Sequence, residues 1–421
     1  MKKLLGSIVK LGAGEIISKL VAFAFYGYIS RAFGVELLGI VALSQTVAGY
    51  VTMGTDLGLR SIGARLVAGD ASSAPAIIRH VLRKRLISCL LCISLGCIYA
   101  LWGPVPAAAR LYVLGFTLGV LPYAFSLDWL AWGLNHFGWL GAWRGGVGLL
   151  FALGAISAIR ASGATLLPIT IANAASAGLG TILLWALWRF RWETPDSISE
   201  RENREIGIHF RWAAVLPLGG ATILNLMFNN FDTVMLGAMT TAKEVGRYSA
   251  AYKVLFVIFA AYYLLTQSLY PRLSRMKGGR QARRLLSFAL VVLIAFGVCV
   301  AVVIALCAAP ILRTIYGGDL NAVHLVRILS LAVPMEFCVA LMGTVLTSRG
   351  FNVLVLVCTA SAAAVNVASN WFLIPRLHAD GAAWSTVASY LFLFILVLVV
   401  FAVKPVLGEE QADPATSECP A

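Results

Sequence analysis

Six stretches of this chain carry no charged residue: Leu86–Ala109, Leu111–Leu127, Ala161–Trp188, Leu285–Leu312, Gly350–Pro375 and Gly381–Val403. A helix needs about 20 mostly apolar residues to cross the hydrocarbon core of a bilayer, and each run is near or above that length. A chain in lipid must satisfy its backbone internally, as a helix or a closed barrel. Barrel strands would show as ~10-residue segments of alternating polarity, and none appear. Charged residues are 12% of the 421 and hydrophobic ones 60%. A soluble fold, at about 25% charged, would lack the polar residues to cover itself. The sequence predicts an all-α, polytopic integral membrane protein.

Twelve spans fit, at 7–30, 36–59, 85–104, 110–133, 143–161, 164–188, 212–239, 246–270, 285–309, 321–347, 351–374 and 380–403. The start, "MKKLLGSIVKLGAGEIISKL", imitates a signal peptide. Lys10, Glu15 and Lys19 break its apolar part, and apolar sequence continues to Tyr28, so an uncleaved first span is expected. With both termini cytoplasmic, most of the 33 Lys and Arg fall on the inner side, among them Arg60, Arg65, Arg79, Arg83, Lys84 and Arg85. Few, such as Arg31, Arg110 and Arg160, fall opposite. This is the positive-inside bias. It accounts for the net charge of +14 without nucleic acid, and the basic loops also suit anionic lipid heads. Seven of the eight cysteines sit in apolar runs and read as small buried hydrophobes. Cys89-x-x-Cys92 has redox spacing without a βαβ context.

The strongly mixed-charge loop "RFRWETPDSISERENREIGIHFRW" (189–212) falls midway. It suggests an N-terminal six-helix lobe over 1–188, a cytoplasmic linker over 189–211, a C-terminal six-helix lobe over 212–403, and a polar, disordered cytoplasmic tail over 404–421. A weak internal repeat supports the division. Gly39 aligns with Gly246 and Val47 with Val254 at the same shift, while Gly133 and Asn135 align with Gly350 and Asn352. Halves of six spans would share orientation and relate by an axis along the membrane normal.

Charge inside a bilayer costs at least ~2.5–3.5 kcal/mol on the insertion scale, so the polar residues of the spans need a reason. At helical spacing Thr222, Asn225, Asn229 and Asp232 share one face of span seven. Gln45, Gly49, Thr52 and Asp56 do so in span two, extended by Arg60. Gly12, Glu15, Lys19, Tyr26 and Ser30 do so in span one, and Ser249, Lys253 and Gln267 partly in span eight. One hydrated surface shared by all four is expected. Structural alternatives stand beside it. Glu15–Lys19 and Asp56–Arg60 are four apart and can neutralise each other, Asp232 and Lys253 can pair across spans, and the span-seven Asn residues can bond between helices. Asp128 and Glu336 remain open. No phosphate loop of the G-x-x-x-x-G-K-[ST] type occurs, which excludes an ATPase engine in this chain. The five His are isolated, without metal-ligand spacing, and no G-x-S-x-G elbow appears.

"FDTVMLGAMTTAKEVGRYSAAYK" (231–253) and "LYPRLSR" (269–275), with "YISRAFGVELLGIVALSQTV" (28–47) and "MGTDLGLRSIGAR" (53–65), resemble the bacterial oligosaccharide flippases. These form the Wzx-type branch of the multidrug/oligosaccharidyl-lipid/polysaccharide exporter superfamily. The resemblance implies two six-helix lobes around a cavity lined by spans one, two, seven and eight, in the bacterial inner membrane. It implies a transporter rather than an enzyme, carrying an undecaprenyl-pyrophosphate-linked oligosaccharide among membrane lipids, with a polysaccharide polymerase and a chain-length regulator as further partners. On that reading Lys19, Lys253 and Arg60 would bind the pyrophosphate, lysine as a point charge. Glu15, Asp56 and Asp232 would carry the coupling proton or sodium ion, with no other cofactor and no metal. Gln45, Thr52, Asn225, Asn229 and Ser249 would line the cavity. Two rivals are an exporter of amphipathic cations on the same fold and a polymerase or ligase of lipid-linked glycans. The short outer loops disfavour the second.

Overall fold

The structure, a computed structural model, describes residues 2–162, 166–191, 206–274, 279–317 and 321–403, and every regular element among them is helical. The tail, residues 192–205 of the linker, and the side chains of Glu15 and Gln267 lie outside the described residues. The helices are α1 (Lys2–Asp56), α2 (Leu59–Gly69), α3 (Ala74–Trp102), α4 (Ala107–Leu118), α5 (Asp128–Gly133), α6 (Phe137–Ser162) and α7 (Leu166–Arg191). After a short turn of helix α8 (206–209) come α9 (Trp212–Met239), α10 (Ala242–Ser274), α11 (Arg280–Tyr316), α12 (Asn321–Ser330), α13 (Val333–Ser348), α14 (Asn352–Leu377) and α15 (Ala379–Val403).

Among the described residues eight helices are long and apolar enough to span a membrane, and the α12–α13 pair, bent by 44°, makes nine. Two further facts reconcile this with twelve spans. The stretch Ile17–Asp56 is 40 residues long, or about 60 Å at 1.5 Å per residue, twice a ~30 Å hydrocarbon core. Gly34, at φ 86 and ψ 170, breaks it into spans one and two. Helices α9 and α10, of 28 and 33 residues, also have the length to cross. The outward faces are apolar, as lipid contact requires: Leu306 is 73% exposed and Phe288 67%. Hydroxyls inside mostly bond their own helix four residues back, as Thr52 does to Ala48 and Thr222 to Leu218. Those two members of the predicted stripes are therefore satisfied without water.

The core runs through α1, which packs against α10 and α6. Near the Gly34 break, α1 and α10 cross with backbones in contact. A Cβ on Gly39 would lie 1.8 Å from the Ala242 carbonyl oxygen, and one on Gly246 would lie 1.9 Å from that of Val35. These are the two glycines that the internal repeat aligns, and their contacts mirror each other. Gly39→Val should therefore force the helices apart. The melting temperature of the purified protein is expected to fall by the equivalent of ~1–3 kcal/mol or more, as overpacking does. At the same end Ser30 Oγ donates to the Tyr316 carbonyl at 3.0 Å, and Arg31 donates to that of Thr314. Span one thus satisfies carbonyls that α11 leaves unpaired at its C-terminus.

A second apolar cluster gathers side chains of α2, α3, α5 and α7 with the start of α9. Ile206, Phe210 and Val215 belong to it, so the described end of the linker docks on α3. Phe210 stacks on His80 at 5.7 Å, and Lys84 lies 4.0 Å from the centre of the Trp212 ring.

Candidate functional site

The structure distributes the candidate residues over three polar clusters rather than one shared surface. The first joins α1 to α10. Lys19 Nζ lies 4.6 Å from the centre of the Phe256 ring, and Lys253 Nζ lies 5.6 Å from the same ring and 4.7 Å from that of Tyr26. Tyr26 donates to Gln45 Oε1, which brings span two into the group. Both lysines are half-buried. Their aliphatic stems allow the ammonium groups to sit over aromatic faces, an attraction of about 0.5–2 kcal/mol. Ser249, one turn before Lys253, is buried. The arrangement presents two positive charges from distant parts of the chain beside one ring.

The second cluster surrounds Asp232, which is 2% exposed. Its carboxylate accepts from Tyr248 Oη at 2.7 Å, from Thr386 Oγ1 at 3.1 Å and from Asn370 Nδ2. Asn370 also donates to Asn366 Oδ1 at 3.0 Å. Its own Oδ1 is buried with no hydrogen-bond partner among the described residues. Neutral donors from α10, α14 and α15 thus hold the acid, and it does not pair with Lys253. A carboxylate and an orphaned amide oxygen thus lie together inside an apolar bundle, where an ionisable group is costly unless it serves a purpose. Asn366, Asn370, Thr386 and Tyr248 are absent from the sequence-derived set. The i, i+4 amides Asn366 and Asn370 inside a charge-free run were a usable signal. Asn225 and Asn229 bond to each other along α9, Asn229 Nδ2 to the Asn225 carbonyl at 2.8 Å, and Asn225 is exposed.

The third cluster gives two of the candidates ion-pair partners. Asp56, read as an ion-coupling acid, is tied to Arg85. Arg60, read as a phosphate ligand, has Nε 3.3 Å from Asp128 Oδ2 and stacks over Trp132 at 5.0 Å. Arg85 itself, counted from the sequence as a loop charge, is wholly buried. It also reaches Asp128 at 3.5 Å, donates to the Ser126 carbonyl at 2.8 Å and lies 5.1 Å from the centre of the Tyr123 ring. Two Arg and two Asp balance in charge, and each acid takes its partner from outside its own helix. Removing one member leaves buried charge uncompensated, a cost of ~3–5 kcal/mol. Arg85→Met should lower thermal stability by about that much. Adding Asp56→Asn and Asp128→Asn should recover most of the loss, because Arg60 is partly exposed and can turn to water.

Apolar spans packed as a helical bundle, two of them crossing at a glycine pair and with polar clusters between the helices, define a polytopic α-helical membrane fold. Solved structures agree. The chain matches a lipid II flippase, MurJ, in an inward-closed conformation, with a TM-score of 0.70 at 11% identity over 94% of this chain and 88% of that one. It matches a multidrug-resistance MATE transporter of the MOP superfamily in an inward-facing conformation, at 0.69 and 15% identity over 94% and 98%. The outward-facing conformation of such a transporter scores 0.63 at 17% identity over 94% of each chain. The polysaccharide biosynthesis protein family model covers residues 4–277 and the MatE model residues 217–372. The chain belongs to the polysaccharide biosynthesis protein family. No curated protein matches it.

Proposed function

We propose that this protein flips an undecaprenyl-pyrophosphate-linked oligosaccharide across the bacterial inner membrane by ion-coupled alternating access. The observation that carries the reading is the pair Lys19–Lys253 beside Phe256. Two ammonium groups held together within apolar spans suit a pyrophosphate, whose charge-assisted hydrogen bonds are about twice as strong as neutral ones. Here the lobes 1–188 and 212–403 rock about the α1–α10 crossing, both termini being cytoplasmic. The sugar head passes through the seam while the lipid tail stays in the bilayer. Asp232 holds the coupling proton or sodium ion. Arg60 and Asp56 are engaged by Asp128 and Arg85, so this reading leaves Arg60 out of pyrophosphate binding and Asp56 out of ion coupling.

A second reading, export of amphipathic cations, draws on the same fold and on the aromatic surroundings of Asp232, where Tyr248 stacks on Tyr252 at 5.8 Å. One strain pair separates the two. Expression in a flippase-null strain restores surface polysaccharide on the first reading. Expression in a drug-sensitive strain gives resistance to lipophilic cations on the second.

A further inference from the structure

We propose that Arg85 is a positioning residue, acting through Asp56, for a contact that closes one end of the seam between spans two and seven. Helix α1 ends at Asp56. The next two residues, Leu57 and Gly58, turn through the left-handed region at φ 43 and φ 82, and α2 begins at Leu59. This elbow rests on the first turns of α9. A Cβ on Gly58 would lie 2.7 Å from Leu218 Cβ, and one on Gly219 would lie 2.7 Å from Leu57 Cδ2 and 2.9 Å from its Cα. Leucine resists the left-handed region and stays there only when its surroundings over-determine it. The buried Arg85 supplies that constraint. The Ser126 carbonyl, Asp128 and the Tyr123 ring hold its guanidinium from one side, and its remaining arm grips Asp56, the residue before the elbow.

The contact joins two regions that the rocking motion must separate, because α9 continues to Asp232 while α3 and α5 belong to the first six spans. The network is charge-balanced without cargo, so it can keep the elbow's shape whether or not α9 lies against it. The opening step is therefore separation of Leu57–Gly58 from Leu218–Gly219, with the Arg85–Asp56 bond intact. The Gly39–Gly246 crossing, about which the lobes rock, stays packed through that step. This inference rests on the two-lobe transporter reading.

The test uses the full chain with its eight cysteines replaced and two engineered pairs in membrane vesicles. Leu57→Cys with Leu218→Cys flanks the elbow contact, and Val35→Cys with Ala242→Cys flanks the glycine crossing. Copper-phenanthroline cross-linking rates are measured with and without Asp56→Asn. The expected result is a fall of at least about fivefold at 57/218 with 35/242 unchanged, and recovery of at least half the rate with Asp56→Glu. A parallel fall at both ends would mark the network as general scaffolding and overturn the proposal, as would no change at either. If Asp56→Asn does not accumulate, Arg85→Lys is read by the same two rates and the same criteria. In cells, oxidation of the 57/218 pair should block surface polysaccharide reversibly, and normal polysaccharide with the pair cross-linked would overturn the role in opening. Failure of the uncross-linked protein to complement would count against the flippase reading, while the two rates still decide the elbow.

Discussion

Lys253→Ala is expected to abolish complementation of a flippase-null strain while the protein still accumulates in the membrane. Lys253 and Lys19 lie beside one ring, so Lys253→Ala removes one of the two ammonium groups placed there for a pyrophosphate. A hydrogen bond to a charged group contributes about 1.5–3 kcal/mol, or roughly 10- to 150-fold in affinity. The loss has a second source: Lys19 alone presents a single point of contact, which leaves the head group free to rotate out of register. Lys253→Arg keeps the charge over Tyr26 and should retain part of the activity. The measurement is surface polysaccharide set against immunoblotted membrane protein. Wild-type polysaccharide in the alanine strain would remove Lys253 from the mechanism and with it the main support for a pyrophosphate cargo.

Asp232→Asn should suppress ion movement at least about tenfold in proteoliposomes under an imposed pH or sodium gradient, with no loss of thermal stability. The stability half of this prediction follows from the surroundings. Asp232 faces neutral donors, Tyr248, Thr386 and Asn370, so its removal orphans no buried cation. An amide at this position keeps one oxygen to accept from Tyr248 and Thr386, and its N–H can donate to Asn370 Oδ1 once the Asn370 amide turns over. Replacing a buried charge by a well-bonded neutral group is commonly neutral or stabilising. The transport half follows from charge, since an amide neither takes up a proton nor neutralises a cation. Unchanged flux in the variant would rule Asp232 out as the coupling group. A large fall in melting temperature would show instead that the carboxylate holds α9, α10, α14 and α15 together.

The contrast between Arg85 and Asp232 shows how far the candidate site could be read in advance. Asp232 stood out because it is the one charge in a long apolar run, and its burial needed no partner nearby in the chain. Arg85 looked like one more cation at a span edge, since Asp56 and Asp128 lie 29 and 43 positions away. The local rule for helix pairs joined Asp56 to Arg60 instead, because i, i+4 neighbours are what a one-dimensional reading can see. Gly39 and Gly246 were legible as a repeat match, but a match does not say that the two glycines touch.

Taken alone, the amino-acid sequence determined the elements: apolar runs of bilayer length must become helices, because lipid offers their backbone no other partner. Composition and spacing are properties of single segments, so they suffice for that. Only the tertiary structure decided which polar groups meet. Lys19 reaches the ring beside Lys253 across more than two hundred residues, Asn370 and Thr386 come to Asp232 from two later helices, and Arg85 claims an acid that seemed to belong to Arg60. Inside a membrane each such group must find its partner wherever packing supplies one, and packing depends on how helices distant in the chain cross.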